Sequence, residues 1–272
     1  MSYTASNYKL VFKSLIVDIL VEDYTNKITL KCKKDAGPVT VTIETEQGSA
    51  GALTSKVGTK FNYAKFNVDK GQLTADGGKV LETSLAVTDD VKLTFKAGKG
   101  ADLGFDYIKG NFYATGSADV MEMSNVATSA CFGMAKYGIK LGGEARYNLK
   151  GSTTGLTGIN VGASYATGPV FASVTTSSSF AAYNVGLVYK VNNDLSFASQ
   201  TVHTSSKMCD VLAIGGTFNA PNVGTLKAKA GSNGVVSACI IREIAPKVIV
   251  TASGTMSAKD VSTFKPGLSI TM

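Results

Sequence analysis

Ile139-Lys-Leu-Gly-Gly-Glu-Ala-Arg-Tyr-Asn-Leu-Lys150 changes polarity at nearly every step. In an extended chain, successive side chains point to opposite faces. Ile139, Leu141, Ala145, Tyr147 and Leu149 therefore share one face, and Lys140, Glu144, Arg146, Asn148 and Lys150 share the other. A helix would scatter the same residues around its axis. The stretch reads as a strand with an apolar side and a charged side.

The same period of two runs through most of the chain. Lys27-Ile-Thr-Leu-Lys-Cys-Lys33 and Val91-Lys-Leu-Thr-Phe-Lys-Ala97 repeat it, and further runs begin at Val39, Ala101, Ile159, Phe180, Leu195, Val211 and Val248. Turn-forming clusters separate them: Asp35-Ala-Gly-Pro38, Asp76-Gly-Gly78, Gly98-Lys-Gly100, Thr167-Gly-Pro169, Asn192-Asn-Asp194, Asn219-Ala-Pro-Asn222 and Ser232-Asn-Gly234. Strand plus turn takes roughly 13 residues, against the ~9–11 that a tilted strand needs to cross a bilayer. Residues 27–272 then hold about 19 strands, give or take two. No composition shift divides them, so they form one β-domain, preceded by an arm over residues 1–26.

That arm has a different period. Tyr8, Val11, Phe12, Leu15, Ile16, Ile19 and Leu20 follow the spacing of one helix face, with Lys9, Lys13, Asp18 and Glu22 mostly opposite. This predicts an amphipathic helix over 8–22, with Ser6 or Asn7 as its cap.

Composition narrows the class. The chain has 272 residues, of which 44% are hydrophobic and only 17% charged, and this excludes disorder. No stretch approaches the ~18 uninterrupted apolar residues of a membrane helix; Leu10 to Val21 is broken by Lys13, Ser14 and Asp18. A helical membrane protein is excluded. The start of the chain lacks the pattern of a cleavable signal peptide. Cys32, Cys131, Cys209 and Cys239 form no CxxC pair and have no histidine at metal-ligand spacing, so zinc is not expected and four free thiols are.

About 19 short strands exceed what an open twisted sheet carries without curling. Closing the sheet removes its edges. A barrel this wide cannot be filled by side chains, so its lumen is wet and lined by the polar face. The apolar face then points outward, where one helix cannot cover it and a bilayer can. The expected fold is all-β: a transmembrane antiparallel β-barrel of about 19 strands. Tryptophan is absent, so aromatic residues at the bilayer interface have to come from the 11 Tyr and 12 Phe. A soluble sandwich or solenoid is the competing fold.

With this pattern in place, the sequence resembles the mitochondrial porin family, the voltage-dependent anion channels. The likeness spans nearly the whole chain as a pattern rather than as close identity. Lys27-Ile-Thr-Leu-Lys31 looks like that family's first strand, and Val91-Lys-Leu-Thr-Phe95 resembles its Gly-Leu-Lys-Leu-Thr segment. Lys265-Pro-Gly-Leu-Ser-Ile-Thr-Met272 fits its sorting signal of a polar residue, a glycine and two spaced hydrophobics, here Lys265, Gly267, Ile270 and Met272. Nineteen is the strand number known for that family, so the count and the resemblance are not independent. The resemblance implies that the helix lies in the lumen, presenting Lys9 and Lys13 to passing anions; a helix lying on the membrane surface is the alternative. It also implies voltage gating and a place in the mitochondrial outer membrane. Two departures mark a divergent member. Asp90-Val91-Lys92 keeps only the lysine of the family's Gly-Leu-Lys motif, and the stretch near Ala64 and Lys65 lacks the lipid-facing glutamate that many members carry on the fourth strand.

No catalytic pattern appears, and no enzyme is expected. His203, among Ser and Thr, has no ordered third group and reads as a pore-facing or loop residue. Phosphate-cradling glycine loops are absent, no cofactor is expected, and glycines such as Gly142 and Gly143 read as positions of barrel bending and close strand approach. What remains is charge. The chain carries +7, from 27 Lys and Arg against 20 Asp and Glu. Its only dense basic run is Lys31, Lys33 and Lys34, which does not suit nucleic acid. Alternation puts Lys27, Lys31, Lys33, Lys92, Lys96, Lys140, Arg146, Lys150 and Lys190 on the inward face, with fewer acids, among them Asp102, Asp106 and Glu144. Fixed positive charge favours anions in a pore. The expected function is a weakly anion-selective channel for small metabolites such as nucleotides and phosphate. Its expected partners are membrane lipid and those solutes, and a homo-oligomer or larger membrane complex is compatible with it. Two rivals share the fold: the barrel of the outer-membrane protein-import translocase, disfavoured by a short N-terminal arm and a basic lining, and a structural barrel in a larger mitochondrial assembly. A soluble all-β binding protein is a third.

Overall fold

A computed structural model describes residues 15–48, 51–150, 154–204 and 207–272. Nineteen strands follow the chain. They are β1 (Ile28–Ala36), β2 (Val39–Gln47), β3 (Leu53–Tyr63), β4 (Phe66–Thr74), β5 (Lys79–Ala86), β6 (Val91–Ala97) and β7 (Ala101–Lys109). Next come β8 (Phe112–Asp119), β9 (Asn125–Met134), β10 (Ile139–Asn148), β11 (Gly155–Thr167), β12 (Val170–Ser177) and β13 (Ala182–Lys190). The last are β14 (Leu195–Thr204), β15 (Val211–Ala220), β16 (Gly224–Gly231), β17 (Val235–Ala245), β18 (Val248–Ser257) and β19 (Asp260–Thr271). Each strand pairs with its neighbours in sequence, and β1 pairs with β19, so the sheet closes on itself. Glycines with left-handed φ, such as Gly37, Gly77, Gly168 and Gly234, occupy turns where the sequence places turn signals.

The closing pair corrects the expectation of a wholly antiparallel barrel. β1 runs parallel to β19, with Ile28 opposite Leu268 through Lys31 opposite Thr271. Strands that alternate in direction leave the first and last parallel whenever their number is odd. The seam is short, at four residue pairs. Its hydrogen bonds continue as Leu268 N to Lys27 O at 2.9 Å, Met272 N to Lys31 O at 2.8 Å and Lys33 N to Met272 O at 2.6 Å. Even-numbered residues of β19 thus turn their N–H toward β1. Pro266 holds the next such position, below the start of β1, where an N–H would have no ladder partner.

Register assigns the faces, because directly paired residues put their side chains on the same side. Leu93 lies between Leu85 and Phe105, and Phe95 between Thr83 and Leu103. These apolar residues are exposed, as are Leu30, Ile43, Ile214 and Phe218 on the same outer face. An exposed apolar band that encircles the molecule far exceeds the few hundred Å² that a soluble monomer leaves open. Lipid satisfies it. No described helix is long and apolar enough to cross a membrane, so the strands make the crossing.

Three local expectations change. The run expected from Phe180 starts at Ala182, because Ser178, Ser179 and Phe180 all take left-handed φ, at 52°, 54° and 72°. The run expected from Ile159 starts earlier, at Gly155. Ala64 and Lys65 form the β3–β4 turn, with φ 52° at Ala64. The comparison made there belongs on β4, whose outward positions Phe66, Val68, Gly71 and Leu73 include no carboxylate. Asp69 sits at an irregularity between Val68 and Lys70 and turns inward, accepting from Ser84 Oγ at 2.5 Å.

The helix is shorter among the described residues than the expected span of 8–22. It covers 15–20 and ends where Val21 N and Glu22 N both donate to Val17 O, at 2.8 and 2.9 Å. Ser6, Asn7, Lys9 and Lys13 lie outside the described residues. Ile16, Ile19 and Leu20 are buried against Phe171, Val188 and Ala198 of the inner wall, so this segment lies in the lumen rather than on the membrane surface.

Candidate functional site

The helix identifies the inner face, and the ladder carries that identification around the barrel. Asn184, beside the helix, opposes Thr175, which opposes Gly162, then Gly142, Cys131 and Tyr113 in turn. Tyr113 opposes Ile108, on the same face of β7 as Asp106, and Asp106 opposes Lys92. In the other direction, Lys229 leads through Ser237 and Thr255 to Lys265.

Apart from Lys9 and Lys13, which lie outside the described residues, each lysine and arginine singled out in the sequence can be placed on this frame. Lys31 opposes Glu44 and Thr271, and Lys33 opposes Thr42. Lys92 opposes Asp106, and Lys96 opposes Asp102. Lys140 opposes Gly133 and Ser164, Arg146 opposes Ala127 and Gly158, and Lys190 opposes Ser196. All of these fall on the inner face. Lys27 precedes β1 and reaches Glu46 at 2.5 Å. Lys150 lies beyond β10, where its N–H donates to Asn148 Oδ1 at 3.1 Å. Lys265 and Gly267 face inward, Ile270 faces outward opposite Val250, and Met272 completes the seam through its backbone.

Charge is unevenly distributed on the wall. The sector from β1 to β10 holds ion pairs: Lys27 with Glu46, Lys56 with Glu44 at 2.6 Å, Lys92 with Asp69 at 3.6 Å and Lys96 with Glu82 at 3.3 Å. Glu144 accepts from Asn160 Nδ2 at 2.8 Å. The part of the wall that meets the apolar face of the helix is neutral, with Ser173, Thr175, Gly186, Ala198, Gln200 and Gly215. A Cβ at Gly186 would collide with Ile16 Cδ1, and one at Gly215 would lie 2.7 Å from Leu20 Cδ2. These two glycines open the seat into which the helix packs.

Sequence reasoning also missed Lys227 and Lys229. Lys227 Nζ donates to Asp18 O at 2.8 Å, Asp18 Oδ1 at 2.9 Å and Asp23 Oδ2 at 2.7 Å. Lys229 Nζ donates to Leu20 O at 2.7 Å and lies 4.3 Å from the centre of the Tyr24 ring. Alternation in Gly224-Thr-Leu-Lys-Ala-Lys-Ala230 puts both lysines on the polar face, but nothing local links them to partners 209 and 204 positions away. His203 departs from the pore-facing reading. It lies on the outward side opposite Tyr183, and its Nδ1 accepts from Cys209 N at 3.2 Å. The four cysteines are free thiols. Among the described residues, no cluster of His, Cys, Asp and Glu could hold a metal ion.

Outside the spanning strands, the carboxyl of Asp76 in the β4–β5 turn is held below its ordinary value. The Thr74 hydroxyl contributes most, followed by the Gly78 N–H at 3.2 Å.

No curated protein matches the sequence. Among solved structures, a mutant of the Rh. blastica porin is similar over 88% of this chain and 94% of its own, with 12% identity and a TM-score of 0.48, too slight a likeness to bear on function. The sequence profile of the eukaryotic porins matches residues 7–267. With a closed membrane barrel whose polar face lines the lumen, the chain belongs to the eukaryotic porin family, whose members are outer-membrane channels.

Proposed function

We propose that this porin is a voltage-dependent, weakly anion-selective channel of the mitochondrial outer membrane that passes small metabolites such as nucleotides and phosphate. The observation that carries the reading is the basic lining. Lys31, Lys33, Lys92, Lys96, Lys140, Arg146 and Lys190 share the inner face in a chain of net charge +7. Such charge lowers the energy of an anion in the lumen and raises that of a cation. The preference is weak for two reasons. Salt screens beyond about 8 Å, and several of the lysines are neutralised by carboxylates on the same wall. Lys9 and Lys13 lie outside the described residues and belong to this reading as further cations offered to passing anions. Lys265, Gly267, Ile270 and Met272 serve as the membrane-sorting signal.

Conductance in a planar bilayer under a salt gradient tests this. A large conductance whose reversal potential favours anions, and which falls at high voltage of either sign, is the expected result. A cation-selective pore blocked by basic presequence peptides would overturn it in favour of the translocase. A folded barrel with no conductance would overturn it in favour of a structural subunit.

A further inference from the structure

Strands that cross a bilayer keep charge off their outer face, because a bare charge in hydrocarbon is costly. From β1 to β18, register places four fully charged side chains outward among the described residues, and all are basic. They are Lys34 opposite Val41, Lys79 opposite Leu73, Lys109 opposite Phe112 and Arg242 opposite Val250. Each lies within three positions of a strand end. Two of them stand near the seam at one mouth, because β17 and β1 run in the same direction. Arg242 starts an outward row that continues through Val250, Ile270 and Leu30. Lys34 lies two outward positions beyond Leu30. Lys247, in the β17–β18 turn, joins them at this mouth, close enough to Asp35 for their charges to interact. All three cations are exposed, and none has an ion-pair partner among the described residues. The two acids of this rim face inward by register and are engaged. Asp35 accepts from Thr40 Oγ1 at 2.6 Å, and Glu243 accepts from Lys247 N at 3.0 Å.

We propose that Lys34, Arg242 and Lys247 bind the headgroup of an anionic glycerophospholipid at the outer rim of the seam. Its phosphate supplies the counter-ion that the three cations lack, and its acyl chains lie on the row of Val250, Ile270 and Leu30. Ala252, the next outward residue of β18, is short and lies between Ile240 and Leu268, which leaves a shallow track for a chain running deeper. Arg242 precedes Pro246 of the turn by four positions, roughly 9 Å along the membrane normal for a strand tilted ~45°. Its side chain spans most of that depth, with the stem against apolar neighbours and the guanidinium at the phosphate. The paired N–H donors of a guanidinium match phosphate oxygens. The occupant is a lipid rather than free phosphate, because the site opens on the face that meets the bilayer. Each cation near the surface contributes roughly fivefold to the association of an anionic lipid. This role lies outside conduction and needs only the membrane barrel.

Native mass spectrometry of the full chain, released from detergent micelles, tests this with phosphatidylglycerol and phosphatidylcholine of identical acyl chains as probes. One phosphatidylglycerol is expected to be retained roughly tenfold or more tightly than phosphatidylcholine. The triple variant Lys34→Gln/Arg242→Gln/Lys247→Gln is expected to reduce that preference to about twofold or less. Lys79→Gln/Lys109→Gln, which removes the other outward cations, is expected to leave it unchanged, and Lys34→Arg/Lys247→Arg to keep it. A photoactivatable phosphatidylglycerol is expected to cross-link the native chain at Ile240, Val250 and Ala252, which covers the case in which the triple variant does not fold. Equal retention of the two lipids by the native chain, an undiminished preference in the folded triple variant, or cross-links spread evenly around the barrel overturns the site. Displacement of the bound lipid by millimolar inorganic phosphate overturns the lipid assignment.

Discussion

Ile16→Ala separates docking of the helix from folding of the barrel. Ile16 is 3% exposed, and its Cδ1 fills the space left by the missing side chain of Gly186. The substitution removes three carbons. At about 0.8 kcal/mol per buried CH₂, the loss is about 2.4 kcal/mol. Alanine is the better helix former and returns about 0.4 kcal/mol. A net loss of about 2 kcal/mol corresponds to roughly 25-fold in the docking equilibrium. None of it falls on the strand ladders, which close without the helix. Amide hydrogen exchange in detergent micelles reads both quantities, because local opening and global unfolding expose different amides. Val21 and Glu22, whose N–H groups donate to Val17 O, are expected to exchange about 25-fold faster. Lys33, bonded across the seam to Met272 O, is expected to keep its native protection. Unchanged exchange at Val21 and Glu22 would refute the seat at Gly186. Equal acceleration at Lys33 would refute the independence of helix and barrel.

Three further outcomes follow from the same geometry. Phe105 lies mid-strand on the outer face, so Phe105→Lys places a charge in the hydrocarbon and is expected to cost about 2–4 kcal/mol of stability in vesicles; native-like stability in a denaturant titration would contradict the outward assignment. A Cβ at Gly267 would collide with Thr25 O, so Gly267→Val is expected to dislodge the linker from β19 and cost about 1–3 kcal/mol, and a thermal midpoint equal to that of the native chain would show the contact to be unimportant. Asp76 has a folded-state pKa below its ordinary value, so its contribution to stability is complete above the unfolded value of about 3.9 and is lost as pH falls through the lower folded value; Asp76→Asn is expected to flatten that acid-side loss in a pH series of unfolding midpoints, and identical profiles for the two chains would contradict it.

Much of the barrel is legible in local pattern. The alternation from Ile139 to Lys150 marks β10 and divides its faces correctly, because the period of two is a property of the extended backbone itself. Lys92 and Lys96 reach the inner wall for the same reason, and Asp76-Gly-Gly78 and Ser232-Asn-Gly234 mark turns through their own backbone preferences. Alternation fails where the backbone leaves the ideal ladder. Val68 and Asp69 are adjacent and face opposite sides as expected, but the irregularity there pairs Lys70 with Glu82 and keeps Lys70 on the inside with Asp69. Phe180 looks like a strand residue and sits in a left-handed turn.

The sequence by itself determined the strands, their approximate number, the two faces and the basic character of one of them, all of which follow from backbone geometry and side-chain polarity at short range. Closure decided the rest. The parallel seam of β1 with β19 exists only because an odd number of alternating strands returns to its start. The seat at Gly186 and Gly215, the fit of Gly267 against Thr25, and the cap formed by Lys227 and Lys229 join positions far apart in sequence. No local preference encodes those partners. They meet because closing the ladder encloses a lumen, and the arm buries Ile16, Ile19 and Leu20 against the neutral side of its wall.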